Sequence, residues 1–305
     1  MEDYNVVFNR RKLKWTNVIF LICMVLVIIL SAFFGRKLAE KRFEKYVEDI
    51  SNENFEKLTK TDEDIVETPA IEEATQPQKK IPVVTEQGKT NIKNIYKSEY
   101  KRVFLTFDDG PSRSVTPLIL DVLKANNVKA TFFTLGSRVK QNPQIVKRAY
   151  EEGHYIANHG YSHVYSNIYA SRDAVLDEFN RTEDAIRVAI EVPEYSSYLF
   201  RFPGGSLGGK YNTVKKDYRA MLDELGIMYI DWNSLTQDSM GKYTKEQMMQ
   251  FLIETSVNKN SVVVLMHDAG DKVLTYEMLQ DIINYFRENG YVFENMYDVI
   301  EYEVR

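Results

Sequence analysis

VFLTFDDGPS, residues 103–112, is an apolar run that stops at two adjacent aspartates and then turns. Val103, Phe104, Leu105 and Phe107 are β-branched, aliphatic or aromatic and almost uninterrupted by polar residues, the composition of a strand buried on both faces. Gly110-Pro111 ends the run. Asp108 and Asp109 are therefore expected at the C-terminal end of a strand. In α/β folds that edge carries the chemistry, because its loops are held by a rigid core. Taken alone, Asp-Asp-Gly after a strand is only a turn signal, and the rest of the chain has to decide between the two.

The same alternation repeats downstream. Apolar runs at 130–135, 155–157, 199–202, 228–231, 262–266 and 291–293 predict strands. Between them, helices are expected at 115–126, from Asn142-Pro143 onward with proline in the first turn, and at 171–190, 212–225, 244–257 and 275–289. This is the pattern of parallel β/α units, so residues just after each strand converge on one face. The fold class is α/β.

The chain has 305 residues, enough for one large domain with appendages, and 44% hydrophobic content with 12% aromatics can bury a sizeable core. A formal charge of −5 gives no support to nucleic-acid binding. The single cysteine, Cys23, excludes an internal disulfide framework and a cysteine-based metal site, and reads as a small hydrophobe.

Cys23 lies in NVIFLICMVLVIILSAFF, residues 17–34, which is uncharged and close to the roughly 20 residues that cross a bilayer. The reading is a transmembrane anchor after a short N-terminal tail, 1–16. A cleaved signal peptide is the competitor, but the run exceeds a typical apolar region of that kind and no small-x-small site follows. Arg10, Arg11, Lys12 and Lys14 precede the span and Arg36, Lys37, Lys41 and Arg42 follow it, so the positive-inside bias nearly cancels. The short tail before a single span favours placing the large C-terminal part outside the cell.

Residues 35–95 read as a helical and disordered spacer. Its first part is rich in Lys and Glu with apolar residues at rough helical spacing, and 61–88 is acidic and then rich in Thr, Pro and Gln. The globular domain is expected over 96–305.

Three of the four histidines fall just after predicted strands. Asn158-His159-Gly160-Tyr161-Ser162-His163 follows one, Pro203-Gly204-Gly205 follows another with Arg201 near the end of the run, and His267-Asp268 follows a third. The fourth, His154, precedes a strand without a partner motif and reads as a surface or hydrogen-bonded residue. A His-x-x-x-His pair is common by chance. Joined by a strand-end aspartate it becomes a two-histidine, one-carboxylate set that leaves open positions on a divalent metal such as zinc; cobalt, nickel and manganese tolerate the same donors. The glycines at 204, 205, 208 and 209 are not a phosphate loop, since no Gly-Lys-Ser/Thr accompanies them.

TFDDG, HGYSH, RFPGG, the stretch from Asp231-Trp232-Asn233 to Asp238-Ser239, and LMHD, in this order, resemble the five motifs of the polysaccharide deacetylase family, carbohydrate esterase family 4. The resemblance covers about 103–299. It implies a distorted (β/α) barrel of about seven parallel strands and metal-dependent removal of N- or O-linked acetyl groups from sugars. It also implies that Asp108 is the general base, that Asp109, His159 and His163 hold the metal, and that His267 is the general acid. Arg201 would hold the base, and the backbone N–H of Gly204 would be an oxyanion donor. Asp238 would orient His267, with Asp231 as the alternative carboxylate. Ser239 stands where the family usually has tryptophan, so Trp232 or Tyr161 would supply part of the aromatic wall that grips the sugar, and Tyr165 is a further stacking candidate.

With an anchor and spacer, peptidoglycan N-acetylglucosamine is the expected substrate, and the expected partners are the glycan polymer and the membrane, with neither nucleic acid nor a protein partner. Alternatives are an exopolysaccharide N-deacetylase, a glycan O-acetyl esterase or, in another class, a glycan-binding module without turnover. Against the last, base, ligands, arginine and acid are all present.

Overall fold

The structure, a computed structural model, describes residues 79–305. The tail, the anchor at 17–34 and most of the spacer lie outside the described residues. Among the described residues no helix is long and apolar enough to cross a membrane.

Strand β2 (Arg102–Asp108) is the spine of the fold. Every one of its residues pairs in parallel with β8 (Ser261–His267), from Arg102 opposite Ser261 to Asp108 opposite His267. This register sets the aspartate and the histidine level at one end of the sheet. On the other side β2 pairs with β3 (Thr131–Thr134), which pairs with β4 (Tyr155–Asn158), then β5 (Leu199–Phe200) and β6 (Met228–Tyr229). β7 (Ser234–Leu235) flanks β8, and β9 (Val292–Glu294) adds to the start of β2. All these ladders are parallel. Among the described residues none joins β6 to β7. The sheet is thus an eight-stranded curl, a half-barrel consistent with the expected (β/α) barrel and one strand longer than the sequence suggests. The additional strand, β7, has two residues, one of them polar, too short for a periodicity to show.

Successive β2 side chains face opposite sides. Val103, Leu105 and Phe107 join the core formed with Ile119 and Leu123 of α2 (Thr116–Ala125) and with Ile282 and Phe286 of α9 (Val273–Glu288). Phe104 faces a second core with Phe133, Tyr155, Val263 and Met296. Each such fully buried side chain contributes roughly 1.5–3 kcal/mol. Thr106 and Asp108 share the inner face with Phe104, so this alternation turns Asp108 inward.

Ordered structure begins earlier than residue 96. β1 (Lys80–Pro82) pairs antiparallel with β10 (Tyr302–Val304), and α1 (Glu86–Lys93) starts at Thr85, whose hydroxyl accepts from Gly88 N–H at 2.9 Å. Ile81, Ile92 and Ile95 are buried against the domain. The end of the segment read as spacer is therefore built into the fold. Its local composition is too poor in apolar residues to show this, because its partners stand at the far end of the chain.

Candidate active site

β2 ends at Asp108, and the chain turns at once, with Asp109 in the left-handed region at φ 72°. The turn separates the two carboxylates. Asp108 stays inside, 2% exposed, with Oδ1 accepting from Arg201 Nη1 at 2.8 Å. Asp109 swings toward the loop that follows β4, so that its Oδ1 lies 3.6 Å from His159 Nε2 and 3.3 Å from His163 Nε2.

Asp109 Oδ1 is buried with no hydrogen-bond partner. An orphaned carboxylate oxygen facing two imidazole nitrogens is the arrangement a cation would complete, since buried polar atoms are otherwise paired. Asp109, His159 and His163 each offer one donor atom, all within 4.8 Å of one another. His159 is oriented for this: its Nδ1 sits 2.8 Å from the Arg201 carbonyl, so Nδ1–H donates there and Nε2 keeps its lone pair. Burial raises the Asp109 carboxyl, but the charges of His159, His163, His267 and Arg138 outweigh that and hold it below the usual carboxylate range. Burial pushes His163 below the usual imidazole value, with Asp109 opposing in part. A bound cation would take the place of those imidazolium charges, leaving the carboxylate ionised and the imidazoles neutral, the forms a metal needs. The donor set fits one divalent ion.

Two further polar systems flank this cluster. Arg201, wholly buried, donates from Nη1 to Thr106 Oγ1 at 2.7 Å as well as to Asp108, from Nε to the Ile230 carbonyl and from Nη2 to the Asp231 carbonyl. On the other side, His267 Nδ1 lies 2.7 Å from Asp238 Oδ1, while Asp238 Oδ2 accepts from His267 N–H and from Thr275 Oγ1. Burial works to lower the His267 imidazole, but the hydrogen bond to Asp238 and the charges of Asp238, Asp108 and Asp109 outweigh it and push it up to about 9. These surroundings favour the protonated ring.

Asp238 is thus the carboxylate that touches His267. Asp231 instead accepts from Ser206 N–H at 2.8 Å and Ser206 Oγ at 2.6 Å, holding the loop after β5. Trp232 stands at the edge of that loop, where a Cβ on Gly205 would lie 3.3 Å from its ring. Tyr161 is engaged elsewhere: the Arg181 guanidinium lies 3.8 Å from its ring centroid and Lys140 Nζ 5.4 Å. Tyr165 is the ring beside the cluster, 5.5 Å from that of His163. His154 lies apart, buried, accepting from Ala130 N–H at 3.0 Å.

Sequence reading missed Glu178. This buried carboxylate on α6 (Arg172–Ile190) accepts from Tyr161 N–H at 2.6 Å, Ser162 N–H at 2.7 Å and Ser162 Oγ at 2.6 Å, all between the two histidines. It folds the loop that brings His163 back to His159. Nothing in the sequence separates it from the exposed Asp173, Asp177 and Asp184 of the same helix.

A family model described as polysaccharide deacetylase matches residues 96–230. The chain is 35% identical over 193 residues to a peptidoglycan-N-acetylglucosamine deacetylase of Listeria monocytogenes, covering 63% of this chain but only 37% of that protein. It is 30% identical over 210 residues to a peptidoglycan-N-acetylglucosamine deacetylase of Bacillus cereus, covering 67% of this chain and 90% of that one. The solved structure of a CE4 esterase from Streptococcus mutans superposes with a TM-score of 0.62 at 32% identity, over 68% of this chain and 90% of that chain.

Proposed function

Because the chain belongs to the polysaccharide deacetylase family, we propose that it removes acetyl groups from a cell-wall polysaccharide, in the first instance from the N-acetylglucosamine of peptidoglycan. The observation that carries this reading is the Asp109, His159 and His163 cluster, flanked by a tethered carboxylate on one side and a carboxylate-held imidazole on the other. The relatives named for peptidoglycan deacetylation support the substrate.

Asp109, His159 and His163 would hold a divalent metal, zinc or another ion this donor set tolerates, whose Lewis acidity would lower the pKa of the attacking water and polarise the acetyl carbonyl. Asp108 takes the proton of the attacking water. Its Oδ1 is engaged by Arg201, which leaves Oδ2, 3.8 Å from His159 Nε2, as the basic oxygen on the cluster side. The Gly204 N–H donates to the acetyl oxygen as negative charge develops there. His267, cationic and held by Asp238, gives its proton to the departing amine, without which the amine is a very poor leaving group. Trp232 walls the sugar.

The apolar run at 17–34 supports a single-span membrane anchor, with the catalytic domain outside the cell and in reach of the wall. Acetate release from intact peptidoglycan, from N-acetylglucosamine oligomers and from O-acetylated glycan tests the substrate. Release from the first two supports the reading. Release from the O-acetylated glycan alone replaces it with an esterase.

A further inference from the structure

Tyr169 follows the short helix α5 (Tyr165–Ile168), is 4% exposed, and donates its hydroxyl to the Pro203 carbonyl at 2.7 Å. That carbonyl and the Gly204 N–H belong to one trans peptide, in which the two groups point in opposite directions. The hydrogen bond that draws the carbonyl toward the packed Tyr169 ring therefore sends the N–H out the other way. No carbonyl among the described residues takes it up.

The next two carbonyls are held as well. Lys215 Nζ, on α7 (Asn212–Glu224), lies 2.6 Å from Gly205 O and 3.4 Å from Gly204 O, and its ammonium sits 5.1 Å from the Tyr169 ring. Three consecutive carbonyls are thus fixed by two buried side chains. Gly204 and Gly205 allow this path at φ 73° and 78°, the left-handed region that glycine tolerates. Gly204 is exposed and lies against Tyr165, the ring beside His163.

We infer that Tyr169 is a positioning residue: by holding the Pro203 carbonyl it fixes the Gly204 N–H as the donor that meets the oxyanion. The inference rests on the deacetylase reading. A donor aimed at developing charge raises kcat and leaves ground-state binding almost untouched. Removal of one whole donor of this kind costs ~10²- to 10³-fold in kcat, and loosening one costs less, on the order of 10-fold.

The test compares wild type with Tyr169→Phe, which keeps the ring and removes only the hydroxyl, as the full chain loaded with zinc and acting on N-acetylglucosamine oligomers. The expected result is a kcat lower by about 10-fold, with KM and zinc affinity each within about twofold and both limbs of the pH profile unmoved. An unchanged kcat, or a loss matched by an equal loss of zinc affinity, overturns the inference. If Tyr169→Phe does not fold, Lys215→Met, which strips the clamp from the next two carbonyls, must show the same loss confined to kcat or the inference fails. A wild type silent with every divalent metal overturns the deacetylase reading along with it, whereas an active wild type beside an unimpaired variant overturns this inference alone.

Discussion

Arg201 Nη1 lies 2.8 Å from Asp108 Oδ1, and the two side chains are 0% and 3% exposed. The same guanidinium reaches the carbonyls of Ile230 and Asp231, so one side chain crosses the inside of the sheet from Asp108 to the end of the strand farthest from it on that side. Breaking a buried pair by removing one partner leaves an uncompensated charge and costs about 3–5 kcal/mol. Arg201→Met should lose that much stability in urea unfolding, and Arg201→Lys should not restore it, because an ammonium lacks the planar fork that serves four acceptors. Asp108→Asn keeps an acceptor for Arg201 but leaves the buried guanidinium uncompensated, so it should lose stability as well as ~10²- to 10⁴-fold in kcat.

Asp238 should set the basic limb of activity. It is the chief group raising His267 to about 9 against burial. Asp238→Asn removes that support, so His267 loses its proton at lower pH and the basic limb of kcat/KM moves toward acid. The same pair is linked to stability. The folded value lies above the ordinary 6.5, so the stabilisation is fully present below about 6.5 and is lost as pH rises through about 9. In metal-free protein, the stability gap between wild type and Asp238→Asn should therefore shrink across that window; a gap constant from pH 6 to 10 would count against the assignment.

Gly110 admits no side chain. A Cβ there would lie 2.0 Å from Asp268 Oδ2, and Asp268 is itself buried and held by Thr116 Oγ1 at 2.6 Å. Gly110→Ala must shift the turn that carries Asp109. Zinc affinity should fall by roughly 10- to 100-fold, the usual effect of disturbing a ligand's support, as read by competition with a chromophoric chelator.

The N-terminal boundary of the folded unit is testable by truncation. A fragment beginning at residue 79 keeps the β1–β10 ladder and the buried Ile81, Ile92 and Ile95, whereas one beginning at residue 96 loses all of them. Each lost isoleucine exposes apolar surface worth roughly 1.5–3 kcal/mol. The shorter fragment should unfold at clearly lower urea; equal midpoints would show that β1 and α1 add nothing.

Much of this fold is legible because its longest strands are uninterrupted apolar runs that end in polar residues. β2 and β8 differ from the predicted 103–107 and 262–266 by one residue at each end. The runs at 199–202 and 228–231 are strand for only two residues each; just past them the Arg201 side chain reaches Asp108 and the Asp231 side chain holds Ser206. β1, β10 and α1 were hidden because their partners are distant in sequence. Asp108, Asp109, His159, His163, Arg201, Asp238 and His267 converge because each lies at or near a strand end. Glu178, Thr275, Tyr169 and Lys215 act through backbone or other side chains, and a helical Glu or Lys that binds a loop has the same sequence signature as one that faces water.

The most direct test of the central claim is acetate release by the purified full chain on N-acetylglucosamine oligomers, as zinc is removed with chelator and added back, beside Asp109→Ala. The account predicts release that stops with chelator, returns with zinc, and is absent at every zinc concentration that restores wild type when Asp109 is alanine. Release that continues without metal, or that Asp109→Ala retains undiminished, would contradict it.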